Sequence, residues 1–151
     1  MIICGYQGIG KLTAAGKNNV IDLESSNFFV DGRRDDNWYI VYANIAKHLS
    51  DQGYVVMTSS HKVFRDYLDY CQIEYITISP SVELKEKWIE KLQSRYDAEP
   101  SDKNFKALMN TKNCYEENVK DLQKGSYCII DDINYNLIEL IENLKQTSTY
   151  F

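Results

Sequence analysis

Several residue types and patterns are scarce in this sequence, and each scarcity excludes a class of protein. Only two prolines occur in the 151 residues, which excludes a proline-rich chain. Hydrophobic residues make up 44% of the sequence, which excludes a disordered chain. There are two histidines, and the four cysteines include no C-x-x-C pair, so no zinc site is expected. The cysteines lie far apart and mostly beside apolar runs, which indicates reduced thiols rather than a disulfide framework.

Long hydrophobic runs and basic stripes are also missing. No run approaches the roughly 18 apolar residues of a membrane helix, and no basic and apolar leader precedes the first strand candidate. The net charge is −5, which argues against general affinity for nucleic acid. We therefore expect one cytoplasmic domain that binds a small molecule, with neither a membrane nor a nucleic acid as partner.

The most informative stretch that is present reads G-Y-Q-G-I-G-K-L-T and directly follows the apolar run 1–4. Its glycines and lysine match the phosphate-binding pattern G-x-x-x-x-G-K-[ST] up to the lysine. Glycine lets the backbone turn sharply and bring N–H groups close to phosphate oxygens, while the lysine and the start of the following helix supply positive charge. The predicted nucleotide-binding residues are Gly5, Tyr6, Gln7, Gly8, Ile9, Gly10, Lys11, Leu12 and Thr13. The alternative is a glycine-rich turn without a ligand.

The last position of the pattern departs from expectation. Leu12 stands where a Ser or Thr hydroxyl would bind Mg²⁺, and Thr13 comes one residue too late. Since an aliphatic side chain cannot coordinate a cation that prefers oxygen ligands, this departure predicts weakened Mg²⁺ binding.

Short apolar runs alternate with segments of helical periodicity along the whole chain. Strands are predicted at 1–4, 20–23, 54–58, 74–78 and 127–131. Helices are predicted near 10–17, 36–52, 60–70, 82–96, 103–122 and 135–145. This alternation predicts an α/β fold, a three-layer α/β/α sandwich around a five-stranded parallel sheet, with ligands beyond the carboxyl ends of the strands.

Polar residues lie at or after the carboxyl ends of the second and third predicted strands. Asp22 can orient an acceptor hydroxyl, accept its proton or hold Mg²⁺ through water, or it can cap a turn together with the serines that follow. Arg33 or Arg34 can bind an acid group of an acceptor, although a solvated helix start is an equally good interpretation. His61 is a further candidate acid or base, and Ser59 or Ser60 is a candidate N-cap for the next helix.

The order of these parts resembles the small-kinase branch of the phosphate-loop (P-loop) NTPase superfamily, which includes nucleoside monophosphate kinases, shikimate kinase and gluconate kinase. Only Gly5 to Lys11 is specific, and the remainder is similar in order and placement. The resemblance implies a loop that holds ATP, Mg²⁺ near Asp22, and a mobile lid at 79–104. The catalytic residues that it implies are Lys11, Asp22 and Arg95, and the adenine contacts are Asp131 and Asn134.

This chain departs from that family at Leu12, in its short first helix and in a lid with one arginine. The stretch from Ser79 to Arg95 is also similar to phage-type nucleotide-binding proteins. The predicted function is an ATP-dependent phosphotransferase acting on a small acceptor such as a nucleotide, with catalysis by positioning and charge neutralisation. The alternative is a nucleotide-binding or regulatory module with weak or no catalysis, which Leu12 favours.

Overall fold

A five-stranded parallel sheet forms the centre of the computed structural model, which describes residues 1–31 and 33–148. Its strands are β1 Ile2–Gly5, β2 Val20–Asp22, β5 Val55–Thr58, β6 Ile76–Pro80 and β7 Tyr127–Ile130, and a separate antiparallel ribbon consists of β3 Phe29–Val30 and β4 Arg33–Arg34. The order across the sheet is β2-β5-β1-β6-β7. The chain leaves β1 towards β2 and β5 on one side and later crosses to β6 and β7 on the other. The end of β1 is therefore the switch point at which open α/β sheets form a crevice.

Six α-helices connect or follow these strands in the described residues. They are α1 Lys11–Ala14, α2 Trp38–Asp51, α3 Lys62–Tyr70, α4 Lys85–Ala98, α5 Asp102–Leu122 and α6 Leu137–Ser148, with short 3₁₀ turns at Ser25–Phe28 and Val82–Leu84. Among the described residues, no helix combines the length and apolar character needed to cross a membrane.

Successive residues of the central strands pack against different helices. Ile2 and Cys4 belong to a buried cluster with residues of α2 and α3, whereas Ile3 belongs to another cluster that includes residues of α1, α4, α5 and α6. Because side chains alternate across a strand, helices cover both faces of the sheet. The predicted α/β fold with five parallel strands is confirmed, and the arrangement is compatible with three layers.

The main error in the predicted elements concerns the first helix. It was predicted at 10–17, but α1 has four residues. The backbone turns at Gly16, Asn18 and Asn19, all of which have positive φ, and this conformation cannot continue a right-handed helix. The turn returns the chain directly to β2, where Gly16 N donates to Val20 O at 2.9 Å.

Candidate functional site

The loop between β1 and α1 lies at the carboxyl end of the central strand. Tyr6 N donates to Ile78 O at 2.9 Å, so the chain is still paired with β6 as the loop begins. Gly8 and Gly10 have φ values of 89° and 99°, a region in which residues with a Cβ are strained. A Cβ on Gly5 would lie 2.1 Å from Ile9 Cδ1. The loop therefore folds tightly over its first residue in a way that requires its glycines.

Several backbone N–H groups of this loop are available to a ligand. In the part of the chain that the structure describes, no protein acceptor binds the N–H groups of Gly8, Gly10 or Lys11. Since α1 is a single turn, few peptide dipoles add along its axis. Binding of an anion here would depend mainly on the loop N–H groups and on Lys11. The helix dipole would contribute less than the sequence predicted.

Lys11 lies along this loop, half-buried, with its Cδ 3.7 Å from the position of a Cβ on Gly5. Burial lowers the pKa of Lys11, and the negative charges of Asp22 and Glu24 oppose this shift. The Lys11 ammonium group makes neither a hydrogen bond nor an ion pair with any of the described residues. The structure therefore brings together a poorly solvated ammonium group and two nearby carboxylates without contact between them.

The two carboxylates differ in their surroundings. Burial raises the pKa of Asp22 despite the opposing charge of Lys11, and Asp22 makes no side-chain hydrogen bond to any described residue. Burial acts to raise the pKa of Glu24, but the hydrogen bond and charge of Lys103 outweigh it and lower that pKa. Glu24 binds Lys103 Nζ at 2.7 Å and accepts from Ser26 N at 3.4 Å. Glu24 therefore caps the 3₁₀ turn, while Asp22 remains available for a ligand.

A second polar group lies on the Asp22 side of the loop. Arg34 Nη2 lies 3.3 Å from His61 Nε2, and His61 Nδ1 lies 2.8 Å from Ser59 Oγ. The Arg34 guanidinium lies 5.0 Å from the ring centre of Phe29 and 4.3 Å from that of Trp38. Although His61 is exposed as a whole residue, shielding of its ring and then the charges of Arg34 and Lys11 lower its pKa to about 4. The imidazole is therefore neutral near pH 7.

Some aromatic and arginine side chains of segment 27–36 pack against the protein, and others are exposed to solvent. Phe28 packs edge-on against Tyr42 with ring centres 5.3 Å apart, whereas Phe29 is partly exposed and Arg33 is exposed. An open depression of about 460 Å³ is lined by Asp31, Arg33, Arg34, Asp35 and Asp36. Of the two predicted candidates Arg33 and Arg34, these contacts favour Arg34, whose guanidinium lies against two aromatic rings.

Side chains from distant segments bind the loop from another direction. Trp88 Nε1 donates to Gln7 O at 2.9 Å, and Tyr135 Oη donates to Ile9 O at 2.6 Å. Lys91 Nζ donates to Tyr135 Oη at 2.9 Å. Burial and the charge of Arg95 lower the pKa of Lys91 to about 8. Sequence reasoning missed Trp88, Lys91 and Tyr135 as site residues. Trp88 is spaced four residues from both Leu84 and Leu92, a pattern typical of core packing, and no signal points to Tyr135.

Gln7 and Tyr6 also bind α5. Gln7 Nε2 lies within 3.1 Å of acceptors on three residues, Ala107, Asn110 and Thr111. The Tyr6 hydroxyl lies 3.1 Å from Thr111 Oγ1. Tyr6 and Gln7, at variable positions of the loop pattern, therefore anchor the loop to α5.

The remaining predicted site residues lie at the surface. Leu12 is 80% exposed and Thr13 is exposed. Arg95 is exposed near the end of α4, and Asp131 and Asn134 are exposed in the turn after β7. The predicted N-cap role of Ser59 or Ser60 is wrong, because His61 occupies the N-cap position and no side chain bonds there.

Segment 79–104, predicted as a lid, consists of the end of β6, a 3₁₀ turn, α4 and the start of α5. Trp88 and Leu92 of α4 are buried in the core, so one face of this helix is packed in the present conformation. Its movement as a lid stays a prediction.

The described residues contain no group of three or more His, Cys, Asp or Glu side chains placed to hold a metal ion. At the Ser/Thr position of the loop pattern, the exposed Leu12 offers no oxygen atom to a metal ion.

Comparison with models of known protein families finds no match to this chain, and comparison with characterised proteins finds no significant match.

Proposed function

We propose that this chain binds the phosphates of a nucleoside triphosphate at the β1–α1 loop and transfers the terminal phosphoryl group to a small acceptor. This is the chemistry of the small-kinase branch of the P-loop NTPases, which the loop sequence resembles. One observation carries the proposal. The half-buried Lys11 lies along a glycine loop at the end of the central strand and has no counter-ion in contact with it.

The energetics of Lys11 support an anionic ligand. Removing an ammonium group from water costs free energy unless a charge or hydrogen-bond acceptor replaces the lost hydration. No described residue contacts Lys11 to provide that replacement. A polyphosphate would receive hydrogen bonds from Lys11 and from the N–H groups of Gly8 and Gly10, whose positive φ values place them in a tight turn.

The acceptor would lie on the side of Asp22 and Arg34. The raised pKa of Asp22 favours proton acceptance from a hydroxyl, because a base is more effective as its pKa approaches the working pH. Arg34, oriented by Phe29 and Trp38, can donate two parallel hydrogen bonds to a phosphate or carboxylate. These features support an acceptor with an acid group, such as a nucleoside monophosphate.

Mg²⁺, when bound with the nucleotide, neutralises charge on the phosphate oxygens. The residues present fit a metal held mainly by phosphate and water, with Asp22 as the nearby carboxylate that, unlike Glu24, forms no ion pair with a described residue. The alternative function, a binding or regulatory module with little turnover, rests on Leu12, whose exposed aliphatic side chain stands at the position of the usual metal-binding hydroxyl.

The proposal is tested by calorimetric titration of ATP and ADP into the wild-type chain, Lys11→Ala and Lys47→Ala. Lys47 is the matched control because it forms a surface ion pair with Asp51 on α2. We expect Lys11→Ala to weaken ATP binding about 10-fold or more, since a hydrogen bond to a charged group contributes about 1.5–3 kcal/mol. Lys47→Ala should bind as the wild type does.

Equal affinity in the wild-type chain and in Lys11→Ala, or no binding of either nucleotide by the wild type, would contradict the proposal. ADP release with nucleoside monophosphates and other small acid acceptors then separates the two functions. Acceptor-dependent turnover supports the phosphotransferase, and binding without turnover supports the module.

A further inference from the structure

Two aromatic side chains donate hydrogen bonds to carbonyl groups inside the loop. Trp88 Nε1 binds Gln7 O at 2.9 Å, and Tyr135 Oη binds Ile9 O at 2.6 Å. They come from α4 and from the turn before α6, about 80 and 125 residues away along the chain. We call Trp88 and Tyr135 the carbonyl-binding pair.

The geometry of the peptide bond gives these contacts a directional effect. In a planar trans peptide the C=O of one residue and the N–H of the next point in opposite directions. Holding Gln7 O therefore fixes the direction of the Gly8 N–H, and holding Ile9 O fixes that of the Gly10 N–H. These are two of the loop N–H groups that have no acceptor among the described residues. We propose that Trp88 and Tyr135 are positioning residues, which keep the Gly8 and Gly10 N–H groups directed at the phosphates of a bound nucleotide.

The surroundings of the pair agree with a fixed geometry. Trp88 is fully buried, and its ring stacks on that of Tyr135 with 6.0 Å between centres and 13° between planes. Lys91 Nζ lies 4.4 Å and 4.8 Å from the two ring centres and donates to Tyr135 Oη. Because the Tyr135 oxygen accepts a hydrogen bond from Lys91, its own proton is directed to Ile9 O. Lys91 thus supports the pair through Tyr135.

Gly8 provides the space for this arrangement. A Cβ on Gly8 would lie 2.8 Å from Leu92 Cδ2 and 3.2 Å from Trp88 Nε1. The absence of a side chain at Gly8 therefore allows α4 to approach the loop closely enough for the Trp88 hydrogen bond.

Tyr135→Phe is the decisive variant, since it removes one oxygen and keeps the stacked ring. Trp88→Phe removes the other donor but also leaves a space in the core. Tyr115→Phe is the matched control. The Tyr115 hydroxyl also donates to a backbone carbonyl at 2.6 Å, but that carbonyl belongs to Ser81, outside the loop.

The inference rests on the proposed phosphate site, so two measurements are needed. In ¹⁵N NMR spectra of the ligand-free protein, Tyr135→Phe should shift or broaden the Gly10 amide signal, and Trp88→Phe that of Gly8, whereas Tyr115→Phe should leave both unchanged. In calorimetry, each variant of the pair should bind ATP and inorganic tripolyphosphate about fivefold more weakly, the change equivalent to one hydrogen bond of about 1 kcal/mol.

The outcomes separate the two proposals. Unchanged Gly10 amide signals and unchanged affinity in Tyr135→Phe would overturn the role of the pair while leaving the nucleotide site intact. An equal loss of affinity in Tyr115→Phe would also overturn it, because the effect would then follow from general loosening. If the wild type binds neither ATP nor tripolyphosphate, the proposed function and the phosphate-directing role both fail.

Discussion

Leu12 is the residue at which this loop differs most clearly from a metal-binding phosphate loop. Its side chain is 80% exposed, so it contributes little buried apolar area. Replacing it should therefore change the chemistry of the site without a large cost in stability. The Mg²⁺ dependence of the proposed nucleotide binding should consequently respond to the substitution of this one side chain.

We expect Leu12→Ser to tighten Mg²⁺-dependent ATP binding or to raise turnover, because a hydroxyl adds an oxygen ligand that Mg²⁺ prefers. The measurement is a titration of Mg²⁺ at fixed ATP. Leu12→Ala is the control, since it removes the same apolar side chain without adding oxygen. If Leu12→Ser shows no gain over Leu12→Ala, either another residue supplies the missing ligand or the protein does not use the metal.

At the residue level, the sequence predicted the positions that depend on local pattern and missed those that depend on folding. Lys11 could be proposed because it closes the glycine loop pattern that follows a short apolar strand, and Asp22 because it lies at the end of another short apolar strand. Trp88 and Tyr135 could not, because their hydrogen bonds join segments about 80 and 125 residues apart. The sequence also did not show that Glu24 would pair with Lys103, which separates its role from that of Asp22.

The contact between α4 and the loop shows how one element determines the shape of another. Leu92 and Trp88 of α4 lie against Gly8, whose φ is 89°. A side chain at position 8 would suffer both backbone strain and a clash with α4. Gly53, after α2, has a similar φ of 95° but no atom within 4 Å of its potential Cβ. Substitutions at Gly8 and Gly53 therefore distinguish the free-energy cost of backbone strain from that of contact with α4.

We expect Gly53→Ala to lower the free energy of unfolding by about 1–2 kcal/mol through left-handed strain alone. Gly8→Ala should cost more, because Leu92 and Trp88 must also move, and it should weaken ATP binding. Urea unfolding of the two variants, with calorimetry of ATP binding, measures both effects. Equal losses of stability with unchanged ATP affinity would show that α4 does not shape the loop.

Element order was predictable because apolar runs and helical periodicity are local signals. The five strands of the sheet lie where predicted to within a few residues, and α2, α3 and α5 begin and end within two residues of their predicted bounds. The ribbon β3–β4 was not predicted, since each strand has two residues and carries no alternation long enough to detect. The early end of α1 depends on the extended ψ of 139° at Ala15 and the positive φ of Gly16, which composition alone does not reveal.

For the whole molecule, the strand order explains why the candidate site lies where it does. Because β1 lies between β5 and β6, the segments that follow β2, β5, β6 and β7 all emerge at the carboxyl edge around the β1 loop. This brings Asp22, His61, Trp88 and Tyr135 to one end of the sheet. The overall charge of −5 repels a polyanion, so the proposed binding of a polyphosphate would depend on the local positive charge of Lys11.

The position of His61 at this edge also links the stability of the folded molecule to pH. Shielding of the ring, and then the charges of Arg34 and Lys11, lower the pKa of His61 to about 4, whereas an unfolded histidine titrates near a pKa of about 6.5. Between these two values the unfolded chain binds a proton that the folded chain does not. The free energy of unfolding should therefore fall as the pH is lowered from about 6.5 towards 4.

We expect His61→Gln to lack this component, so the difference in stability between the wild type and His61→Gln should change in favour of the variant as the pH falls through that window. Urea unfolding at several pH values measures this difference, and subtraction removes the contributions of the carboxylates that both proteins share.

In NMR titrations, Arg34→Met should raise the pKa of His61, because it removes a positive charge next to the ring. A constant difference in stability between pH 4 and 6.5, together with a His61 pKa that Arg34→Met leaves unchanged, would contradict the electrostatic coupling of these two residues.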